Sequence, residues 1–226
     1  MTSLVSFVSR DSKGLLLVRD GRTLPMIPAL SIAVILTAPP YWTRGGRADG
    51  ARYARRLATE FGREWRRVLA ADGDLWLVIG DRHDGKEWIG MDALVTDCFR
   101  RTGWVLHAKG LWAEHPSTSR WDERVNYLLR FRKAGSHSLP PQATLCWRLP
   151  LPPVSARSLW NGIPCPVTRK LLSLSTLGTV LDPFFGTGTV GAVAAQMGRS
   201  WIGVERDIKE ARFAARRLRL KRKRLG

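Results

Sequence analysis

An α/β fold, with a mostly parallel twisted sheet and helices on both faces, is what this 226-residue sequence predicts. One sign is a set of short aliphatic runs such as Ile32–Thr37 (IAVILT), too continuous for a strand with one wet face. A second is the alternation of these runs with amphipathic stretches at helical spacing. A third is a glycine-rich strand-to-helix turn at 186–191. Hydrophobic residues make up 44% of the chain, with ten tryptophans, enough for a packed core and too many for wholesale disorder. The length fits one domain spanning 1–226.

Each element follows in order. Ile32–Thr37 is a buried strand stopped by Pro39-Pro40. Arg52–Leu69 sets Tyr53, Leu57, Phe61, Trp65 and Val68 at helical intervals among charged residues, an amphipathic helix. Asp74–Gly80 (DLWLVIG) is a second buried strand, followed by a polar break. A helix over Trp88–Arg101 leads to a strand near Trp104–Leu111. Pro116–Glu123 is loop-like, and Asn126–Arg132 is a strand. Ser136–Gln142 and Leu149–Pro153 are rich in proline and serine, so the middle of the chain is its loosest part. A helix over Val167–Ser175, a strand at Thr179–Leu181, a helix over Thr189–Met197, a strand at Ser200–Val204 and a basic helix over about 207–224 complete the order.

Lys and Arg number 37 against 19 Asp and Glu, a formal charge of +18, which favours a polyanionic partner through counterion release. The charge is concentrated: ten basic residues and only Asp207 and Glu210 lie between Arg206 and Gly226. The three cysteines, Cys98, Cys146 and Cys165, have no close pair, and His83, His107, His115 and His137 do not cluster. No disulfide framework and no metal site is expected. No leader and no apolar run long enough to span a membrane is present, so a cytoplasmic, nucleoid-associated protein is expected.

Gly186, Gly188 and Gly191 satisfy a dinucleotide-type spacing, and Glu205 ends the next strand, where an acid accepts from ribose hydroxyls. A pyrophosphate ligand wants bare amides and no anion beside them. Here Asp182 precedes the glycines, which suits the ammonium and sulfonium of S-adenosylmethionine better than NAD, and Phe184 can cover a ribose or adenine. At the other end of the chain, Thr37-Ala38-Pro39-Pro40-Tyr41-Trp42 closes a buried strand. Prolines leave carbonyls rigidly aimed without an N–H. Such acceptors can grip the hydrogens of a weakly nucleophilic exocyclic amine, and Tyr41 can stack on a base drawn out of its duplex.

Together the two elements resemble the amino-methylating DNA methyltransferases of permuted motif order, in which a [DNS]-P-P-[YF] motif precedes D-P-F-x-G-[ST]-G. TAPPYW comes first here, LDPFFGTGTVGAVAAQMGRSWIGVERD last, and NGIPCPVTRKLL resembles the cofactor-binding stretch between them. The resemblance covers about 32–207 and implies a circularly permuted Rossmann-like, S-adenosylmethionine-dependent fold with a short target-recognition insert at about 133–158. By that resemblance Asp182, Phe184, Gly186, Gly188 and Thr189 hold the methionine part of the cofactor, and Glu205 takes the ribose. Asn161 and Ile163 close over it. Ala38, Pro39, Pro40 and Tyr41 form the catalytic corner, with Trp42 and Asp81 on the substrate side; from their place just after Tyr41, Arg44, Arg47 and Arg52 are candidates to grip the backbone flanking a flipped base. Double-stranded DNA is the implied partner; a homodimer and a partnered restriction endonuclease are compatible with it.

The chain departs from the pattern in three places. Ala38 stands where the family carries Asp, Asn or Ser, and losing one such hydrogen bond costs roughly 1–3 kcal/mol. Thr37 or a water is the expected substitute. Val125-Asn126 replaces a common His-Glu, and the recognition stretch is short. The Thr37, Tyr41 and Trp42 context matches the cytosine-N4 members, with adenine N6 as the alternative. A catalytically weakened DNA-binding relative, and an enzyme acting on RNA or on a protein amide, stay open. Cys165 precedes the glycine turn, whereas the nucleophile of cytosine-C5 methyltransferases follows it, so that chemistry is excluded.

Overall fold

The computed structural model describes residues 4–40, 46–81, 84, 86–114, 125–136, 145–149 and 162–225. Ten strands form one sheet: β1 (Leu4–Val8), β2 (Gly14–Val18), β3 (Ile32–Thr37), β4 (Leu69–Gly80), β5 (Trp104–Glu114), β6 (Val125–Lys133), β7 (Leu145–Leu149), β8 (Val180–Asp182), β9 (Trp201–Glu205) and β10 (Lys221–Leu225). Their order across the sheet is β10-β1-β2-β9-β8-β3-β4-β6-β5-β7. The central run from β2 to β4 is parallel, while β4, β6 and β5 pair antiparallel, as do β2, β1 and β10. The sheet is therefore mixed: antiparallel pairs flank the parallel centre, and β7 adds a parallel edge beside β5.

The helices are α1 (Arg47–Arg56), α2 (Gly62–Val68), α3 (Met91–Arg100), α4 (Cys165–Ser173), α5 (Thr189–Gln196) and α6 (Ile208–Arg217), with a π-helical turn at Leu57–Phe61 joining α1 to α2. Alternate residues of the central strands enter two separate cores. Ile35, Leu75, Leu77 and Leu181 pack with Leu57, Trp65 and Phe99 on one face. Val34, Leu36, Trp76 and Val180 pack with Leu171, Val193 and Ala214 on the other. Burial on both sides is why IAVILT lacks a polar alternation.

Several expectations change. The Arg52–Leu69 helix begins earlier, at Arg47, and contains the π-helical turn. The basic helix expected over 207–224 forms only in its first part. It ends at Arg217, Arg219 takes a left-handed φ of 53°, and Lys221–Leu225 pairs antiparallel with β1. An edge strand's ladder satisfies backbone groups that one more helical turn, crowded with like charges, would hold less well. The region about 133–158 is not wholly an insert, since β7 belongs to the sheet; 137–144 and 150–158 lie outside the described residues. None of the described helices is long and apolar enough to cross a membrane.

Candidate active site

The early proline corner and the late glycine turn meet because β3 and β8 are parallel neighbours. Thr37 ends β3 and Asp182 ends β8. The Thr37 hydroxyl donates to Asp182 Oδ1 at 2.7 Å, and the Phe184 amide donates to the same oxygen at 3.1 Å. Both side chains are buried, and no cation is among these partners. Burial is the dominant influence on Asp182. It outweighs the two hydrogen bonds, Glu205 adds repulsion, and the carboxyl is pushed up to about 7.

Over this junction opens a cavity of about 1230 Å³, walled by Ala38, Pro39 and Pro40 on one side and by Phe184, Gly186 and Glu205 on the other. Phe184 is held in place by aromatic contacts, its ring centroid 4.9 Å from Phe61 and 6.1 Å from Trp65. The π-helical turn is what sets Phe61 there; such turns are frequent at functional sites. Glu205 accepts from the Gly186 amide at 2.9 Å and from the Asp207 amide at 2.8 Å, which fixes its carboxylate at the cavity wall. Gly186 has a φ of +49°, and a Cβ there would meet nothing nearer than 3.9 Å, so its backbone borders open space.

The glycines divide their labour differently from the fingerprint. Gly188, at φ +83°, caps α5, and a Cβ there would press on Leu218 and Phe185 at 3.0 Å. A Cβ at Gly191 would lie 2.6 Å from the Phe185 ring, which stacks on Trp201 at 5.2 Å. Phe185 is thus a core residue, and Gly191 makes room for it.

Other expected residues sit elsewhere. Thr37 is not placed to stand in for the missing acceptor at Ala38, because its side chain is fully buried against Asp182 and does not line the cavity. Asp81 does not line the cavity. Its Oδ1 accepts from the Gly90 and Met91 amides at 3.2 and 3.3 Å and caps α3, whose N-terminal amides need an acceptor. Ile163 is buried in the core with Leu36 and Val78 rather than closing over the cavity, as suits an apolar side chain ahead of α4. Arg47 donates to the Ile89 carbonyl at 2.9 Å, tying α1 to the start of α3. Thr189 is held from behind by Arg217, at 3.3 Å. Arg52 lines the cavity and pairs with Asp49. Tyr41, Trp42, Arg44, Asn161, His83, His115 and His137 lie outside the described residues.

The structure also brings in residues that sequence reasoning missed. Asp20 and Arg22 follow β2, whose Val18 is paired with Glu205 of β9, and both line the cavity. Arg22 pairs with Asp20 at 2.7 Å and reaches Glu60 at 3.6 Å, and Glu60 pairs with Arg56 at 2.8 Å. These exposed pairs tie the β2 loop to the π-helical turn and are screened by solvent. The signal was there to find: GLLLV is a short aliphatic run, and RDG after it is a strand end with an acid. Lys209, Glu210 and Arg216 of α6 line the same cavity.

Known proteins resemble this chain in sequence and in fold. A family model described as DNA methylase, covering N6 and N4 amino-methyltransferases, matches residues 163–216. The type II methyltransferase M.Cfr9I of Citrobacter freundii is 25% identical over 252 residues, covering 86% of this chain and 84% of that enzyme. This chain is similar to the amino-methylating DNA methyltransferases. TTHA0409 of Thermus thermophilus, solved with S-adenosyl-L-methionine, shares the methyltransferase fold at a TM-score of 0.71 and 26% identity, over 89% of this chain and 91% of that one. The cytosine-N4-specific PvuII DNA methyltransferase matches in fold at a TM-score of 0.74 and 17% identity, covering 92% and 86%. The likeness in fold thus extends over nearly the whole chain.

Proposed function

We propose that this DNA methyltransferase transfers a methyl group from S-adenosylmethionine to the N4 amine of a cytosine drawn out of the duplex. The observation that carries this reading is the Thr37–Asp182 hydrogen bond, which places the proline corner and the glycine turn in the walls of one cavity.

The site fits a cationic adenosine ligand. Asp182 is a buried carboxyl directly behind the Pro183–Phe184 wall and is held by neutral donors, so a positive group beside it gains more than at an ordinary surface acid. Phe184 offers an aromatic face, Glu205 offers acceptors at the wall, and Gly186 admits close approach of a ligand. When bound, the cofactor supplies an electrophilic methyl on sulfonium. The corner's part is to orient the amine: the prolyl carbonyls accept its hydrogens and turn its lone pair toward the cavity. No covalent link to the protein is needed, and the proton leaves the amine after transfer. Positioning and polarisation supply the rate enhancement.

Cytosine is favoured over adenine by the Thr37, Tyr41, Trp42 context around the prolines. The +18 charge, with Lys209 and Arg216 on the cavity rim, suits a phosphate backbone. The type II names of the relatives support a place in a restriction–modification pair. Methyl-labelled cofactor, double-stranded DNA and digestion to nucleosides test the reading. Label in N4-methylcytosine is the expected result; label in N6-methyladenine moves the target, and label in 5-methylcytosine or in none of the bases overturns the proposal.

A further inference from the structure

We infer that Tyr53 is a positioning residue for methyl transfer, acting through the carbonyl of Pro40; the inference rests on the function proposed above. Tyr53 lies on α1, its ring packed against the core that α1 covers, and it lines the same cavity as Ala38, Pro39 and Pro40. Its hydroxyl donates to the Pro40 carbonyl at 2.8 Å. An aromatic body fixed in the core with a polar tip at the rim makes a stiff strut.

The corner needs such a strut. Prolines have no N–H, so residues 39 and 40 can be tied down only through their carbonyls and rings. Both φ angles are locked by the rings and the peptide between them is planar, leaving the two ψ angles as the soft torsions past the end of β3. One hydrogen bond to the second carbonyl therefore restrains the direction of the first. Pro39 is buried while Pro40 is exposed, so the anchor falls on the residue that the core holds less firmly. The demand on this restraint is unusual here. Ala38 offers no side-chain acceptor and Thr37 is committed to Asp182, so aiming the amine falls to backbone oxygens, whose direction the strut sets.

The test compares steady-state kinetics of the unaltered protein, Tyr53→Phe, Ala38→Ser and the double variant. Labelled S-adenosylmethionine and genomic DNA from a host lacking the protein serve as substrates. Tyr53→Phe keeps the ring and removes the donor. It is expected to lower kcat about tenfold while KM for both substrates and the melting temperature stay within error, since a near-attack geometry and not a binding contact is lost. In the Ala38→Ser background, where a side-chain acceptor shares the amine, the same change is expected to cost about twofold, a non-additivity that a merely structural tyrosine would not give. An unchanged kcat, a loss confined to KM or melting temperature, or an equal loss in both backgrounds overturns the inference. An unaltered protein that methylates no DNA amine overturns the proposed function itself, and with it this role; an active one with an indifferent Tyr53 overturns only the strut.

Discussion

Two buried aspartates, one in β4 and one at the exit of β8, are opposites. Asp74, fully buried in β4, accepts from Arg130 twice and from Arg132 once at 2.9 Å, and from the Thr176 amide, just before β8, at 3.0 Å. Burial is the largest influence on it and pushes its pKa up, but Arg130, the Thr176 amide and Arg132 together outweigh burial and hold it below the ordinary carboxylate range. Asp182, at the exit, has burial without cations and rises to about 7. The contrast teaches that partners, not burial alone, decide the state of a buried carboxylate. The first has its counter-charge built in. The second has no cation among its partners beside an open cavity, and on the proposed function a cationic ligand would supply what the protein omits.

The comparison breaks most violently at Asp74. Asp74→Asn leaves two buried guanidinium groups without their counter-ion, so thermal or urea unfolding should show a loss of about 3–5 kcal/mol. Cofactor affinity of the fraction that folds should be unchanged. The matching change at the other end, Asp182→Asn, should do the reverse: S-adenosylmethionine affinity by calorimetry falls at least tenfold, while folding is not weakened. The sign follows from linkage. A carboxyl whose folded pKa lies above its unfolded value favours the native state when protonated, so Asp182 costs stability as pH rises from about 4 through 7. Asp182→Asn should remove that slope, and a melting series from pH 5 to 8 measures it.

Ala38→Ser returns the missing side-chain acceptor and should raise kcat about tenfold with little change in cofactor affinity. A gain from zero instead would mark the unaltered chain as a binding relative without turnover. The smallest effect belongs to Arg22→Ala. Its pairs with Asp20 and Glu60 are largely exposed and screened by solvent, so the urea unfolding midpoint should stay within error.

Much of the fold is local enough to read. Ile32–Thr37 has the strand bounds its sequence predicts, because an aliphatic run ended by prolines needs no partner to declare itself. β1 and β2 are five residues each and carry no strong alternation, and β10 is KRKRL, whose identity as a strand depends on pairing with Leu4–Val8 over two hundred residues away. The site divides the same way. Pro39, Pro40, Asp182, Phe184 and Glu205 announce themselves through their neighbours in sequence. The Thr37–Asp182 bond spans 145 positions, and Asp20 enters the cavity only because β2 lies beside β9. Asp81 and Ile163 were drawn toward the site by resemblance, yet a helix cap and a core position claimed them.

Proton release on cofactor binding tests the contrast between the two aspartates most directly. Calorimetric titration with S-adenosylmethionine in buffers of different ionisation enthalpy should show close to one proton released per cofactor at pH 6, declining as the pH passes 7, and none from Asp182→Asn. Tight binding at pH 6 with no proton released, or equal release from Asp182→Asn, would contradict the account.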